Sequence, residues 1–181
     1  MRKIILFMHM SLDGFVCGPN GELDWATINY DEIGKFLISD LLKNVDSMII
    51  GRNLFQGFES YWPSVAKNSE ASKDLRDFAQ WIDEAPKYVF SKTLKIVGWQ
   101  NSTIFSGDLA EEVQKLKQQP GKDIVVFGGA EFAAGLVRLG LVDEYRLKLE
   151  PVVLGTGKPL FQNIADRMRL KLTLTKSYDE V

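Results

Sequence analysis

Asp123-Ile-Val-Val-Phe-Gly-Gly-Ala-Glu-Phe-Ala-Ala-Gly-Leu-Val-Arg-Leu-Gly140 is the stretch whose reading decides the fold. It opens on a short apolar run rich in β-branched side chains, which suits a strand buried on both faces. Gly128-Gly129 ends that run. Apolar residues then recur at helical spacing from Glu131 to Leu139, and Gly140 supplies the stop. Strand, Gly-Gly and helix form one unit, the building block of a sheet whose parallel strands are joined by crossover helices.

The same alternation extends toward the N-terminus. Lys3-Ile-Ile-Leu-Phe-Met-His-Met10 is continuously apolar and reads as a central strand, and Val45-Asp-Ser-Met-Ile-Ile50 is a second one, ending at Gly51-Arg52-Asn53 in a strand-to-helix turn. Between them Ile33, Phe36, Leu37, Leu41 and Leu42 follow a helical period through Lys43. Leu75, Phe78, Ala79 and Ile82 predict a helix within Ser69 to Glu84, stopped before Pro86. Lys87-Tyr-Val-Phe90 and Asn101-Ser-Thr-Ile-Phe105 read as strands. Asp108 with Glu111 resembles a capping box that opens a helix through Gln118, closed by Pro120-Gly121.

Beyond Gly140 the pattern changes. Glu144-Tyr-Arg-Leu-Lys-Leu-Glu150 and Leu170-Lys-Leu-Thr-Leu-Thr-Lys176 alternate apolar and polar residues, which predicts strands with one face in water and antiparallel pairing. Strands alternating with helices, then strands without a long helix between them, describe a mixed sheet flanked by helices.

Composition bounds the function. At 181 residues, with 45% hydrophobic and 25% charged residues, the chain fits a single domain, residues 1–181. The net charge of −2 offers no global positive field for nucleic acid or an anionic membrane. Cys17 and His9, the only residues of their types, make neither an intramolecular disulfide nor a Cys/His zinc site, and Cys17 reads as a buried thiol. The short apolar run near Met1 lacks a cleavage signal, and no run of about 18 apolar residues occurs, so a cytoplasmic protein is expected.

In open α/β sheets, ligands bind beyond the carboxyl ends of the strands, where helix N-termini face the crevice. Gly51-Arg52-Asn53, Ser91-Lys92-Thr93 and Gly128-Gly129-Ala130 qualify by that rule. Gly128-Gly129 allows close approach of a diphosphate, or is a plain tight turn. Arg52 and Lys92 are phosphate ligands or solvated cations. His9, inside an apolar run, is a core residue, a pocket wall or a general base. Asp13, Asp24 and Asp31 near the first crevice are acids of a site or turn and cap residues. Trp25 and Trp62 stack a flat ring or simply pack. Residue chemistry alone reaches a pocket for a phosphate-bearing cofactor.

A resemblance goes further. Ser11-Leu-Asp-Gly-Phe-Val16, Met48-Ile-Ile-Gly-Arg-Asn53, Tyr88-Val-Phe-Ser-Lys92, Val125-Val-Phe-Gly-Gly-Ala-Glu131, and Val142-Asp-Glu-Tyr145 through Pro151-Val-Val-Leu-Gly-Thr-Gly-Lys-Pro-Leu-Phe161 stand in the order and spacing of the dihydrofolate reductase-like superfamily. More closely, the chain resembles stand-alone relatives of the C-terminal reductase domain of riboflavin-biosynthesis deaminase-reductases. The resemblance implies a three-layer α/β/α sandwich with a mixed sheet and a C-terminal antiparallel hairpin. It also implies an NADPH-dependent oxidoreductase that hands a hydride to a small heterocycle, and a homodimer.

By the same resemblance, Gly51, Arg52, Asn53 and Leu54 contact cofactor phosphates, and Ser91 and Lys92 lie near the adenosine phosphate. Gly128, Gly129, Ala130 and Glu131 form the diphosphate loop, and Phe127 before them is a further cofactor-binding residue. Val16 and His9 border the nicotinamide, and Asp13, Gly14 and Trp25 face the substrate. Asp24 or Asp31 is the acid that pairs with the substrate ring. Lys148 stands where dihydrofolate reductases carry a Thr, and a Lys there suits a substrate phosphate. The implied activity is that of 5-amino-6-(5-phosphoribosylamino)uracil reductase, with dihydrofolate reductase or a non-catalytic nucleotide-binding module as the alternatives.

Overall fold

The computed structural model describes residues 1–26 and 39–177. Its elements follow in the order β1 (Ile4–Ser11), β2 (Phe15–Cys17), α1 (Ser39–Asn44), β3 (Val45–Gly51), α2 (Arg52–Ala66), α3 (Lys73–Glu84), β4 (Lys87–Phe90), β5 (Ser102–Phe105), α4 (Leu109–Gln118), β6 (Asp123–Val126), α5 (Ala130–Arg138), β7 (Glu144–Glu150) and β8 (Lys158–Pro159). The main sheet has the order β5-β4-β3-β6-β1-β7, and all its pairings are parallel. A second, antiparallel sheet pairs β2 with β8.

Successive side chains of a strand point to opposite faces, so β1 must meet apolar partners on both. Ile5 and Phe7 join a core with Phe55, Trp62, Phe78 and Ile82 of α2 and α3. Ile4, Leu6 and Met8 join another with Val113, Leu116, Ala133, Leu136 and Val137 of α4 and α5. Two cores on opposite faces of one sheet make the three-layer sandwich. Asp108 caps α4, accepting from the N–H groups of Ala110 at 2.9 Å and Glu111 at 3.1 Å. Ser72 caps α3 through Leu75 N–H. No helix among the described residues is long and apolar enough to cross a membrane.

Two local expectations are corrected. Leu170–Lys176 forms no strand, and β7 pairs parallel with β1, Lys148 lying beside His9 and Glu150 beside Ser11. The antiparallel pairing belongs instead to β2 and β8. Nor is the polar face of β7 wet: Lys148 and Glu150 are buried, because their charges neutralise one another rather than facing water. The helix expected from Ile33 to Lys43 is described only over α1, its earlier residues lying outside the described ones.

Candidate active site

Because the strands of the main sheet are parallel, their carboxyl ends share one edge. Along it, in sheet order, lie the turns after β4, β3 and β6 and then the ends of β1 and β7. The turns after β3 and β6 lead directly into α2 and α5, whose N-caps are Gly51 and Gly129 and carry no side-chain cap hydrogen bond. Both helices therefore begin with N–H groups that no capping side chain satisfies, unlike α3 and α4.

Gly129 adopts φ +80, a left-handed backbone that L side chains disfavour, and a Cβ there would meet nothing closer than 3.7 Å. Its glycine answers to the turn itself rather than to crowding. At Gly51, packing dictates the residue: a Cβ would stand 3.0 Å from Phe132 Cβ, where the start of α2 presses on α5.

Arg52 is exposed, and its Nη1 donates to Thr93 Oγ1 at 2.7 Å, linking the turn after β3 to the turn after β4. Its Nε donates to Asn53 Oδ1 at 3.2 Å. Ser91 Oγ accepts from the N–H groups of Thr93 and Leu94, which shapes the second turn, and Lys92 is exposed on it. Leu54 packs beside Gly128 and Gly129. Ala130 opens α5, and Glu131 pairs with Lys158 at 3.5 Å. Phe127 is held by Phe7, Phe78 and Trp81, so its ring serves the aromatic core on the α2 and α3 side.

The far end of the edge carries the densest electrostatics. Glu150 Oε1 accepts from Lys148 Nζ at 2.6 Å and from His9 Nδ1 at 2.8 Å, and the Glu150 side chain is 2% exposed. Burial works to raise the pKa of Glu150, but the hydrogen bonds and charges of Lys148 and His9 together hold it below the ordinary value. Burial lowers the pKa of His9, and the charge of Lys148 adds to this, while Glu150 opposes both. Arg146, on the same face of β7, donates to Glu144 and to Asp40 of α1.

The loop after β1 is organised by its own side chains. Ser11 Oγ donates to Asp13 Oδ1 at 2.6 Å and accepts from Phe15 N–H at 3.0 Å. The Asp13 carboxylate also accepts from the N–H groups of Leu154 at 3.2 Å and Gly155 at 2.8 Å. These bonds, led by that from Ser11, lower its pKa. Asp13 thereby ties together the two sequence segments flanking β1 and β7. Gly14 turns the chain with φ +87, and Val16 is buried in β2. Cys17 beside it is buried, which pushes its thiol pKa up. Trp25 donates its indole N–H to Glu22 O at 3.2 Å, and Asp24 is exposed. Asp31 lies outside the described residues.

The edge thus brings together the three glycine- and cation-bearing turns and places His9 and Lys148 beyond them. The sequence reading missed Glu150. The signal was present: residues two apart in a strand share a face, so Lys148 and Glu150 had to be neighbours. It also passed over Thr93 as a partner of Arg52.

Residues 2–181 match the RibD C-terminal domain family. The chain belongs to that family. It is 40% identical over 178 residues to the uncharacterized protein YyaP of Bacillus subtilis (strain 168), covering 98% of this chain and 89% of that one. Identity to the uncharacterized protein YwjB of the same organism is 26% over 179 residues, covering 99% and 94%.

Among solved structures, a putative riboflavin biosynthesis protein from Shewanella sp. PV-4 aligns with a TM-score of 0.65 at 22% identity, covering 91% of this chain and 86% of that one. A diaminohydroxyphosphoribosylaminopyrimidine deaminase/5-amino-6-(5-phosphoribosylamino)uracil reductase from Thermotoga maritima aligns with a TM-score of 0.60 at 13% identity, over 94% of this chain and 51% of that one. Dihydrofolate reductase from Enterococcus faecalis, complexed with NADP(H), aligns with a TM-score of 0.54 at 12% identity, over 87% and 76%. The fold is that of the dihydrofolate reductase-like proteins.

Proposed function

We propose that the protein is an NADPH-dependent reductase of a small heterocycle, most like the 5-amino-6-(5-phosphoribosylamino)uracil reductase of riboflavin biosynthesis. Membership of the RibD C-terminal domain family supports a reductase of that kind. The observation that carries the reading is the order of features along the sheet edge: cations on the turns after β4 and β3, glycine-capped helix starts after β3 and β6, then the partly buried His9 of β1 against the buried Lys148 and Glu150 of β7. A dinucleotide fits this sequence of groups. The uncapped N–H groups of α2 and α5 suit the diphosphate, and Arg52 and Lys92 suit the adenosine phosphate. Bound NADPH supplies a hydride, and the chain's residues supply position and charge.

His9, Lys148, Asp24 and Asp31 are the candidates to orient the substrate. The test is consumption of NADPH by the purified protein with phosphoribosylated aminopyrimidines and with dihydrofolate. Turnover of the aminopyrimidine is expected. Turnover of dihydrofolate alone would replace this substrate class with the folate one. NADPH bound but never consumed would favour a non-catalytic nucleotide-binding module. Asn variants of Asp24 and Asp31 are expected to separate an orienting acid, which loses turnover about ten- to a thousandfold, from a cap or turn residue, which does not.

The proposal includes a homodimer. β7 ends the main sheet, and among the described residues no strand lies on its outer side. The segment from Leu170 to Lys176 exposes its alternating leucines and is seven residues long, as β7 is. A second copy of this chain, contributing that segment to the open edge, satisfies both features at once.

A further inference from the structure

Glu150 and His9 meet in a way that fixes which ring nitrogen carries the proton. An ionised carboxylate can only accept hydrogen bonds, so the 2.8 Å contact between His9 Nδ1 and Glu150 Oε1 requires a proton on Nδ1. Lys148 Nζ, 2.6 Å from the same oxygen, keeps Glu150 ionised despite its burial. Desolvation of the imidazole, reinforced by the charge of Lys148, opposes a second proton on the ring. Among the described residues Lys148 and Glu150, both from β7, are the charged groups that act on it, and the Phe7 ring packs edge-on against it at 5.9 Å. No described residue reaches Nε2 by a hydrogen bond, and the side chain is 22% exposed at the carboxyl end of β1.

We infer that Glu150 is a positioning residue that fixes His9 as the Nδ1–H tautomer and leaves Nε2 as a hydrogen-bond acceptor, so that the site takes a substrate presenting an N–H or O–H donor to that nitrogen. This rests on the reductase reading only for the identity of what arrives at His9. The chemistry selects a class: a heterocyclic lactam or amine offers such a donor, whereas a ring whose corresponding edge carries only acceptors leaves Nε2 unmatched and loses the contact. In its resting form His9 is therefore not the acid that protonates the substrate, and the proton accompanying hydride transfer comes from another group or from water.

His9 is the only histidine of the chain, which makes it a self-contained spectroscopic probe. Nitrogen-15 NMR of the labelled protein near neutral pH, without any ligand, is expected to show one protonated nitrogen, Nδ1, and one bare nitrogen, Nε2. Glu150→Gln is expected to mix the tautomers and lower the titration midpoint of the ring. Because that substitution removes the carboxylate 2.6 Å from the buried Lys148 Nζ, the double variant E150Q/K148M serves where the single one unfolds, and is expected to lose the tautomer preference as well.

A ring protonated on Nε2 in the native protein, or a tautomer unmoved in both variants, would overturn the inference. With a turned-over substrate in hand, E150Q is expected to raise KM about tenfold or more for a donor-bearing ring, with a smaller change in kcat. An equal KM for a matched ring lacking the donor would also overturn it. Failure of the reductase reading shows separately, as absent NADPH binding or consumption, and leaves the tautomer measurement standing.

Discussion

Arg52 of α2 and Thr93 beyond β4 are joined by a 2.7 Å hydrogen bond between Nη1 and Oγ1 that spans two strands' carboxyl ends. That bond holds an exposed guanidinium between two candidate phosphate turns without neutralising its charge, and Lys92 stands next to its anchor. A 2′-phosphate placed there gains a charge-assisted contact of about 1.5–3 kcal/mol. The protein is therefore expected to prefer NADPH to NADH by about ten- to a hundredfold, and the R52A/K92A variant to lose most of that preference. Fluorescence titration with both cofactors decides it: equal affinities in the native protein, or selectivity unchanged in the variant, would remove the argument.

Gly129 supports a sharper comparison of binding with stability. Its φ of +80 makes Gly129→Ala strained at about 1–2 kcal/mol, yet the added methyl has ordinary room inside the protein, with Phe132 at 3.7 Å. A modest fall in melting temperature is expected together with a disproportionate loss of NADPH affinity if this turn holds the diphosphate as proposed. Unchanged affinity in a folded G129A protein would detach this turn from the cofactor.

How much of this was legible beforehand depended on whether burial and periodicity agreed. The helix capped by Asp108 was readable because cap, apolar period and stop coincide, and the Asp123–Gly140 unit because an apolar strand, a Gly-Gly turn, an apolar period and a stop follow one another. α2 was visible only as a turn at its start. Its buried residues Phe55, Trp62 and Val65 are widely spaced, and Gly57 and Pro63 weaken the helical signal, so tertiary packing rather than local pattern holds it. Alternation in Glu144–Glu150 correctly gave a strand and wrongly gave a wet face. Period two reveals which residues share a side, but only a neighbour such as His9 shows whether that side is water or a charge-compensated interior.

Lys87 offers a pH test outside the candidate site. Its Nζ is buried, donates to Asp83 O at 2.7 Å and Ala85 O at 2.9 Å at the end of α3, and lies 4.2 Å from the Trp99 ring centre. Burial pushes its pKa down from 10.5 to about 8. Below about pH 8 both folded and unfolded chains hold the proton, so the native state bears the full cost of the buried charge. Between about 8 and 10.5 the native chain has released it while the unfolded chain has not, so this group's contribution to stability rises with pH. Urea denaturation on either side of pH 8 is expected to show that rise in the native protein relative to Lys87→Met. The variant itself should lose about 1–3 kcal/mol at neutral pH, from the hydrogen bonds that the Asp83 and Ala85 carbonyls accept from Lys87. A stability difference between the two proteins that is flat across this range would refute the titration.

The C-terminal segment carries the remaining prediction. Leu170, Leu172 and Leu174 are 56%, 78% and 62% exposed, so three alternating apolar side chains of one short segment stay in contact with water. Tyr145 near the start of β7 meets Met168 through its hydroxyl at 3.5 Å and Phe161 through its ring, and the leucines follow that contact in the chain. If a second copy receives them at the edge of β7, each buried leucine contributes about 1.5–3 kcal/mol, and symmetry doubles the count. Light scattering at micromolar concentration is expected to give twice the chain mass. L172K/L174K is expected to give a single chain mass with an intact circular dichroism spectrum, because both positions are exposed within one chain. A native protein that scatters as one chain, or a variant that remains paired, would exclude this segment as the dimer contact.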